Sequence, residues 1–254
     1  MSTLIDRHQH IITKLRKEGN VKVLDLCSEL NVSSVTIRKD LKLLEDKNLL
    51  FRTHGGGTVS NPYTADKPVK EKEKIQSGEK SNIGEAAAHL IEPNDCILIA
   101  SGTTVVSLAK NIYPKGNLTV ITAALNVAME LIKHPEIEVI QLGGILRKSS
   151  SSVTGNYAEN ILQDFSCSKL FLGVDGIDLE FGLTTTNMME AQLNKKMIKA
   201  SQKTIVLADS TKFGKRGFGK ICGLEDIEQV ITDKGISDHM VESLRGLGIE
   251  VTIV

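Results

Sequence analysis

From residue 81 to the end of the chain, short apolar segments alternate with segments of helical periodicity. The apolar segments are Cys96–Ala100, Leu118–Thr122, Glu138–Leu142, Lys169–Val174, Thr204–Ala208, Gln229–Thr232 and Glu250–Val254. The helical segments between them include Ile83–Leu90, Val105–Asn111, Val127–Lys133 and Glu190–Ala200. Strands that are apolar on both faces and separated by helices are typical of a parallel sheet covered by helices on both sides. The sequence therefore predicts a Rossmann-like α/β domain over residues 81–254.

Residues 1–60 have a different pattern, which predicts three short helices. The first helix is expected at Leu4–Arg16, where Thr3 and Asp6 have the spacing of a capping box. The second is expected at Lys22–Leu30. The third follows Ser33, a candidate N-cap residue, and continues to about residue 46.

A glycine-rich hairpin follows these helices. Two extended runs, 49–54 and 58–59, flank the triplet Gly55-Gly56-Gly57 and predict a β-hairpin in the position of a wing. Two helices joined by a tight turn and followed by a wing form a winged helix-turn-helix domain, expected at residues 1–60. The mixed charges and prolines of residues 61–80 indicate a linker.

The third helix has one apolar and one basic face. Ile37, Leu41 and Leu44 recur at helical spacing and are expected to face the core. Basic side chains and hydroxyls on the other face, together with the wing, could contact phosphates and base edges of DNA. The candidate DNA-binding residues are Ser33, Ser34, Thr36, Arg38, Lys39, Lys42, Arg52, His54, Gly55 and Gly56.

The charge distribution agrees with this division. The 254 residues have no formal net charge, but residues 1–60 contain 10 Lys/Arg and 7 Asp/Glu, against 21 and 24 in the remainder. A basic small part joined to an acidic large part fits a nucleic-acid reader attached to another domain. The four cysteines form no CxxC pair, which argues against a zinc site. The absence of a long apolar run predicts a cytoplasmic protein without a membrane partner.

Several loops after the predicted strands carry groups suited to a phosphorylated ligand. In open α/β sheets, ligands bind at the carboxyl ends of the strands. Hydroxyls, backbone N–H groups, Arg and Lys would bind the phosphate, and carboxylates would bind sugar hydroxyls. The candidate effector-binding residues are Ser101, Gly102, Thr103, Thr104, Gly143, Gly144, Arg147, Asp175, Gly176, Asp178, Glu190 and Lys212.

The stretch from Asn31 to Leu41, followed by Arg52-Thr53-His54-Gly55-Gly56-Gly57, resembles the signature of the DeoR family of transcriptional regulators. That signature is roughly V-S-x-x-T-I-R-R-D-L and then R-x-H-G-G-A. Here Lys39 replaces the second Arg, which keeps the charge but not the bidentate geometry. Gly57 replaces the Ala.

The resemblance continues through the second part of the chain, from Ser101-Gly102-Thr103-Thr104 to Ile231-Thr232-Asp233. It implies a sensor domain that resembles ribose-5-phosphate isomerase and binds a phosphorylated sugar effector. It also implies a homo-oligomeric repressor of a carbohydrate-metabolism operon that binds double-stranded operator DNA. Many family members have Asp before the Ser-Gly-Thr-Thr stretch, whereas this chain has Ala100, so a carboxylate for a sugar hydroxyl is missing.

Two other functions are compatible with the pattern. The first is a sugar-phosphate isomerase fused to a DNA-binding module, with Glu190 resembling the base of ribose-5-phosphate isomerase and Asp175 and Asp178 its Asp pair. However, the loop 179–184 lacks the Lys that the enzyme carries there. The second is a scaffolding protein that has lost its ligand. We expect neither, and we expect no enzymatic activity, cofactor or metal.

Overall fold

The structure is a computed structural model, and it describes residues 3–47, 49–53, 55–58 and 68–254. The chain divides into two compact units, Met1–Ala65 and Asp66–Val254. None of the helices in these ranges is both long enough and apolar enough to cross a membrane.

The first unit is a three-helix domain with a small antiparallel sheet. Its elements are α1 (Leu4–Glu18), β1 (Asn20–Lys22), α2 (Val23–Leu30), α3 (Ser34–Asp46), β2 (Phe51–Thr53) and β3 (Gly56–Thr58). The strands are ordered β1-β3-β2. Ile37, Leu41 and Leu44 of α3 are buried against the other helices, as predicted.

Capping residues account for the helix boundaries of this unit. Thr3 Oγ1 accepts a hydrogen bond from the Asp6 N–H, while Asp6 accepts one from the Thr3 N–H, which completes the predicted capping box. Helix α2 ends at Asn31, whose left-handed conformation has a φ of 52°. Ser33 Oγ accepts from the Thr36 N–H at 3.2 Å and begins α3. The three predicted helices are confirmed.

Strand β1 was not predicted from the sequence. It pairs with β3 and turns the expected two-stranded wing into a three-stranded sheet. A Cβ atom on Gly56 would lie 1.7 Å from the carbonyl oxygen of Val21 in β1. A glycine is therefore required at residue 56 for the two strands to approach.

The second unit is an α/β domain. Its helices are α4 (Val69–Glu73), α5 (Ser77–Ala88), α6 (Thr103–Lys110), α7 (Leu125–Leu131), α8 (Asn156–Ile161), α9 (Met188–Lys199) and α10 (Asp238–Gly246). Its strands are β4 (Cys96–Ile99), β5 (Leu118–Thr122), β6 (Ile137–Gln141), β7 (Ile145–Arg147), β8 (Ser152–Thr154), β9 (Cys167–Gly173), β10 (Gly176–Asp178), β11 (Gly182–Thr185), β12 (Ser201–Leu207), β13 (Gly219–Cys222), β14 (Gln229–Thr232) and β15 (Glu250–Ile253).

A seven-stranded parallel sheet with the order β15-β14-β12-β9-β4-β5-β6 forms the centre of this unit. Its strands correspond to the seven apolar segments of the sequence, and the predicted α/β fold is confirmed. Alternate residues of one strand belong to cores on opposite faces: Leu98 to one, Ile97 and Ile99 to the other. Burial on both faces explains why these strands are continuously apolar.

The chain leaves β4 and β9 in opposite directions. Strand β4 leads to β5 on one side of the sheet, whereas β9 leads to β12 on the other, although β4 and β9 are neighbours. The loops that follow these two strands therefore diverge and open a crevice between them. A ligand site is expected at this position in an open α/β sheet.

The segment 61–80, which the sequence indicated as a linker, differs from that expectation after residue 68. Residues 69–73 form α4, and α5 begins at Ser77. Val69 is buried, and its N–H donates to the Ser149 carbonyl oxygen at 2.7 Å. Residues from 68 onward therefore belong to the fold of the second unit.

Candidate functional site

The outer face of α3 is basic and open to solvent. Arg38, Lys39 and Lys42 are exposed and form no hydrogen bond or ion pair with any described residue. Ser34 and Thr36 are half-buried at the start of the helix, and Ser33 is committed to the N-cap. This face offers three cations and two hydroxyls to a partner.

A buried carboxylate holds α3 against α1. Asp40 is 2% exposed, and its two oxygens lie 2.7 Å from Arg7 Nε and 3.0 Å from Arg7 Nη2. The hydrogen bond to Asp40 raises the pKa of Arg7. His8 Nε2 lies 3.4 Å from the same carboxylate. Sequence reasoning missed Asp40, although its position three residues after Ile37 places it on the apolar face.

The wing carries one further candidate cation. The Arg52 N–H donates to Glu45 Oε1 at 2.8 Å, and its guanidinium lies 3.8 Å from Glu45 Oε2. Gly55 is exposed, whereas Gly56 is buried against β1, so its contribution is to strand packing and not to DNA contact. His54 lies outside the described residues.

A cleft lies at the carboxyl ends of β4 and β9 in the second unit. It encloses about 590 Å³ including its open mouth. Its lining residues are Val69, Lys72, Ser101, Gly102, Thr103, Thr104, Ser149, Ser150, Gly173, Val174, Asp175, Thr185, Glu190, Asn194 and Lys212. Seven of the twelve candidate effector-binding residues are among them.

The loop after β4 forms one wall of the cleft. Gly102 has a φ of +137° and is the N-cap of α6, where no side chain caps the helix. A Cβ on Gly173 would lie 3.0 Å from the Ser101 carbonyl oxygen, so glycine lets the loop after β9 approach. The uncapped N–H groups at the start of α6 favour an anion, because the positive end of the helix dipole lies there.

Asp175 carries a charge in the opposite wall. Its Oδ1 lies 2.9 Å from Lys72 Nζ, and its Oδ2 accepts from Thr185 Oγ1 at 3.1 Å and from the Thr186 N–H at 3.2 Å. Burial by itself raises the pKa of Asp175. The attraction of Lys72 and Lys212 and these hydrogen bonds outweigh burial and hold the pKa below its ordinary value. The carboxylate is therefore charged at neutral pH.

Glu190 is the second acidic residue of the cleft. Its Oε1 lies 2.7 Å from Arg147 Nη1 and accepts from Ser152 Oγ at 3.2 Å, while Thr185 Oγ1 lies 3.4 Å from Oε2. Arg147 does not line the cleft itself. It contacts two residues that do line the cleft: it pairs with Glu190, and it donates to Ser149 Oγ at 3.2 Å.

Besides Arg147, the four remaining predicted effector residues lie away from the cleft lining. Asp178 is the last residue of β10, away from the cleft. There it accepts from the N–H groups of residues 180 and 181 and pairs with Arg216 at 2.9 Å. Gly143 is exposed outside the cleft. A Cβ on Gly144 would lie 2.6 Å from the Thr154 carbonyl oxygen, and one on Gly176 would lie 2.5 Å from that of Lys215. The latter two glycines are required for chain packing.

Lys72 was not predicted to be a site residue, because it belongs to the charged segment 61–80. Helix α4 places Lys72 in the cleft and leaves Lys70 exposed. The buried Lys80 donates to the carbonyl oxygens of Lys72 and Ile75 at 2.7 and 2.6 Å and so holds the end of α4. Burial and the repulsion of Lys212 and Lys72 lower the pKa of Lys80.

The two other cleft residues that bear on a ligand are Asn194 and Lys212. Asn194 is 5% exposed on α9 and was missed in the sequence because a lone Asn inside a helix gives no signal. Lys212 is half-buried and forms no ion pair with the part of the chain that the structure describes. Ala100 is completely buried below the loop, so no side chain replaces the carboxylate that the family pattern has there.

Within the described ranges, no group of three or more His, Cys, Asp or Glu side chains is arranged to bind a metal ion. The cleft instead combines hydroxyls, N–H groups, lysines and carboxylates. The hydroxyls, N–H groups and lysines can bind an anionic group, and the carboxylates can accept hydrogen bonds from hydroxyls.

Two family models match the chain. The DeoR-like helix-turn-helix domain matches residues 7–62, and the DeoR C terminal sensor domain matches residues 75–234. Together they cover both units of the structure.

Similar proteins include transcriptional regulators. A protein described as an aga operon transcriptional repressor of Escherichia coli O157:H7 is 37% identical over 251 residues, which cover 98% of this chain and 93% of that protein. The HTH-type transcriptional regulator YulB of Bacillus subtilis is 35% identical, with 98% and 96% covered. Among solved structures, a ribose 5-phosphate isomerase from Methanocaldococcus jannaschii is 14% identical, covers 53% of each chain and has a TM-score of 0.38. A likeness this distant supports no functional conclusion.

Proposed function

This chain belongs to the DeoR family, and we propose that it represses a carbohydrate-metabolism operon and is controlled by a phosphorylated sugar. The exposed basic face of α3, held in place by the buried Asp40, is the observation that supports this proposal most strongly. The similarity to a transcriptional repressor over nearly the full chain supports it further.

In this proposal, α3 lies in the major groove of operator DNA. Arg38 and Lys39 contact guanine or phosphate, and Lys42 contacts the backbone. Ser34 and Thr36 add hydrogen bonds at the start of the helix, and Arg52 with Gly55 brings the wing to the phosphates. A homo-oligomer would present paired helices to repeated half-sites.

The effector would bind in the cleft with its phosphate at the loop 101–104. The uncapped N-terminus of α6 and the side chain of Lys212 supply positive charge at that end. Asp175 and Glu190 supply acceptors for sugar hydroxyls. Since Ala100 replaces the usual family Asp, we propose that the effector makes one carboxylate contact fewer at this position.

In this proposal, helix α4 responds to binding of the effector. It contributes Val69 and Lys72 to the cleft, and it is the first described helix after the DNA-binding unit. A sugar hydroxyl at Asp175 would compete with Lys72 for the carboxylate and weaken the hold on α4. The difference in effector affinity between the two arrangements would then change operator affinity.

The arrangement around Glu190 argues against catalysis. A general base needs a carboxylate oxygen that is free to reach the proton it removes. Arg147 pairs with Glu190 at 2.7 Å, and Ser152 donates to the same oxygen. We therefore propose that the chain binds sugar phosphates without isomerising them.

The test is fluorescence anisotropy of labelled DNA from the region upstream of the gene and of its neighbours. We expect tight binding to one fragment, and release by at least one hexose or pentose phosphate. Binding to every fragment with equal affinity would overturn the assignment as a specific regulator. If the purified protein converts the sugar phosphate that releases the DNA into a product, the proposal that the chain is not an enzyme is wrong.

A further inference from the structure

Helix α9 presents two polar side chains to the cleft, one turn apart. Glu190 and Asn194 are 8% and 5% exposed, and both line the cleft. Their hydrogen-bonding states differ. Glu190 pairs with Arg147 and accepts from Ser152 Oγ, whereas the amide of Asn194 has no hydrogen-bond partner among the described residues.

Asn194 is 95% removed from solvent as a residue and lines the cleft, so its amide, which has no partner in the described residues, is available to a molecule bound there. Native structures contain few buried polar groups without a partner, and each requires an explanation. The remainder of this helix face consists of Ala191, Leu193 and Met197, all apolar and buried. An apolar residue at position 194 would continue this face, whereas Asn194 presents a polar group to the cleft, which suggests that the amide serves a molecule bound there.

The surroundings of Asn194 define the chemical group that it would bind. The nearest acidic residue along α9, Glu190, is compensated by Arg147, so that no uncompensated charge lies one turn away. The amide itself is neutral and offers a donor and an acceptor side by side. A hydroxyl group, which is both donor and acceptor, satisfies it.

We infer that Asn194 is a specificity-determining residue that binds one hydroxyl of the sugar phosphate effector. The inference rests on the proposed function, because it takes the phosphate of the same molecule to lie at the loop 101–104. Asn194 then selects the effector by a hydroxyl, and the α6 end of the cleft selects it by its charge.

The first test needs no ligand. Asn194→Leu removes an amide that has no hydrogen-bond partner among the described residues and should therefore not lower the melting temperature of the full chain. Gln192→Leu is the matched control, because Gln192 is an exposed amide on the same helix, and its melting temperature should not change. A fall in the melting temperature of Asn194→Leu by several degrees would indicate an internal hydrogen bond and would overturn the inference.

The second test measures dissociation constants by isothermal titration calorimetry. The probes are glucose 6-phosphate, fructose 6-phosphate, fructose 1-phosphate and ribose 5-phosphate, followed by monodeoxy analogues of the tightest binder. Loss of one hydroxyl should weaken binding to the wild-type chain about 10-fold or more. In Asn194→Leu and Asn194→Ala, the parent sugar and that analogue should bind equally within about 3-fold.

The possible failures are distinguishable. If both variants discriminate against the deoxy analogue as the wild type does, Asn194 does not bind the hydroxyl, and the inference fails while the proposed function stands. If the wild type binds none of the sugar phosphates, the proposed function fails and the inference with it.

Discussion

Replacing Lys72 with Met tests whether the segment before α5 is part of the sensor. The substitution keeps the length of the side chain but removes the cation that lies 2.9 Å from Asp175 Oδ1. Two unit charges at this distance attract by about 6 kcal/mol at an effective dielectric constant of about 20. Most of this is offset by desolvation, and Asp175 keeps its hydrogen bonds from Thr185 and Thr186. We therefore expect a net loss of about 1–3 kcal/mol in the free energy of unfolding at neutral pH.

The pH dependence of this loss has a defined sign. The pKa of Asp175 is lowered in the folded chain, so its ion pair stabilises the fold above the unfolded pKa, which is about 3.9 for Asp. This stabilisation is lost as the pH falls through the folded pKa. The difference between wild type and Lys72→Met should thus be full from about pH 5 upward and should shrink below about pH 4.

Urea denaturation followed by circular dichroism between pH 7 and pH 3 measures this difference. Lys70→Met is the matched control, because it removes the same charge from an exposed position on the same helix. Equal stability of the two variants, or a difference that does not change with pH, would refute the reasoning. Lys72→Met should also alter the release of operator DNA by the effector, whereas Lys70→Met should not.

Three further predictions concern the two binding regions. Arg38→Ala should weaken operator binding in an anisotropy assay about 5- to 150-fold. Arg16→Ala, which removes the same charge from α1, should not weaken it. Equal losses of affinity in the two variants would exclude a recognition role for α3. Thr103→Glu places an anion at the N-terminus of α6 and should abolish binding of sugar phosphates in calorimetry without weakening DNA binding, and an unchanged response would place the phosphate elsewhere. Gly56→Ala places a Cβ against the Val21 carbonyl and should lower the free energy of unfolding of the first unit by about 1–3 kcal/mol or more, measured by calorimetric melting. An unchanged transition would show that β1 tolerates the clash.

The sequence predicts the elements of this fold well, because each is recorded in a local pattern. The strands of the parallel sheet are buried on both faces and read as apolar runs. The start of α3 depends on Ser33, which bonds an N–H three residues later. Such short-range interactions follow from neighbouring residues alone.

Strand β1 escaped prediction for the opposite reason. It has three residues, Asn20–Lys22, of which one is buried, and its partner strand is more than thirty residues away. Strand β1 can pair only because Gly56 has no side chain. From the sequence alone, Gly56 could equally be a flexible residue of a turn. The same ambiguity led to the expectation that Gly56 contacts DNA.

The sequence indicates which residues line the cleft where one loop contributes neighbouring groups, but not where the contributing residues are distant in the chain; effector binding by these residues stays a prediction. The residues from Ser101 to Thr104 follow β4 directly, and all of them line the cleft. Asp178 was grouped with Asp175 because both follow the same predicted strand and because the two resemble the Asp pair of ribose-5-phosphate isomerase. In an extended strand, three residues span about 10 Å, which is enough to remove a carboxylate from the site.

The same limitation explains Lys72, and it bears on how the two units could communicate. Lysines in a charged segment are usually solvated, and four of the five residues 70–74 are indeed exposed. Val69, Lys72, Gln76 and Lys80 nevertheless recur at intervals of three or four residues, and these positions are buried or half-buried. This spacing can be seen in the sequence. However, Val69 is the only apolar residue among the four positions, so a search for hydrophobic periodicity does not detect the helix. A helix that faces a polar cleft is recognised by recurring charge. In the mechanism that we propose, a ligand that replaces the ion pair of Lys72 acts on α4, the first described helix after the DNA-binding unit along the chain.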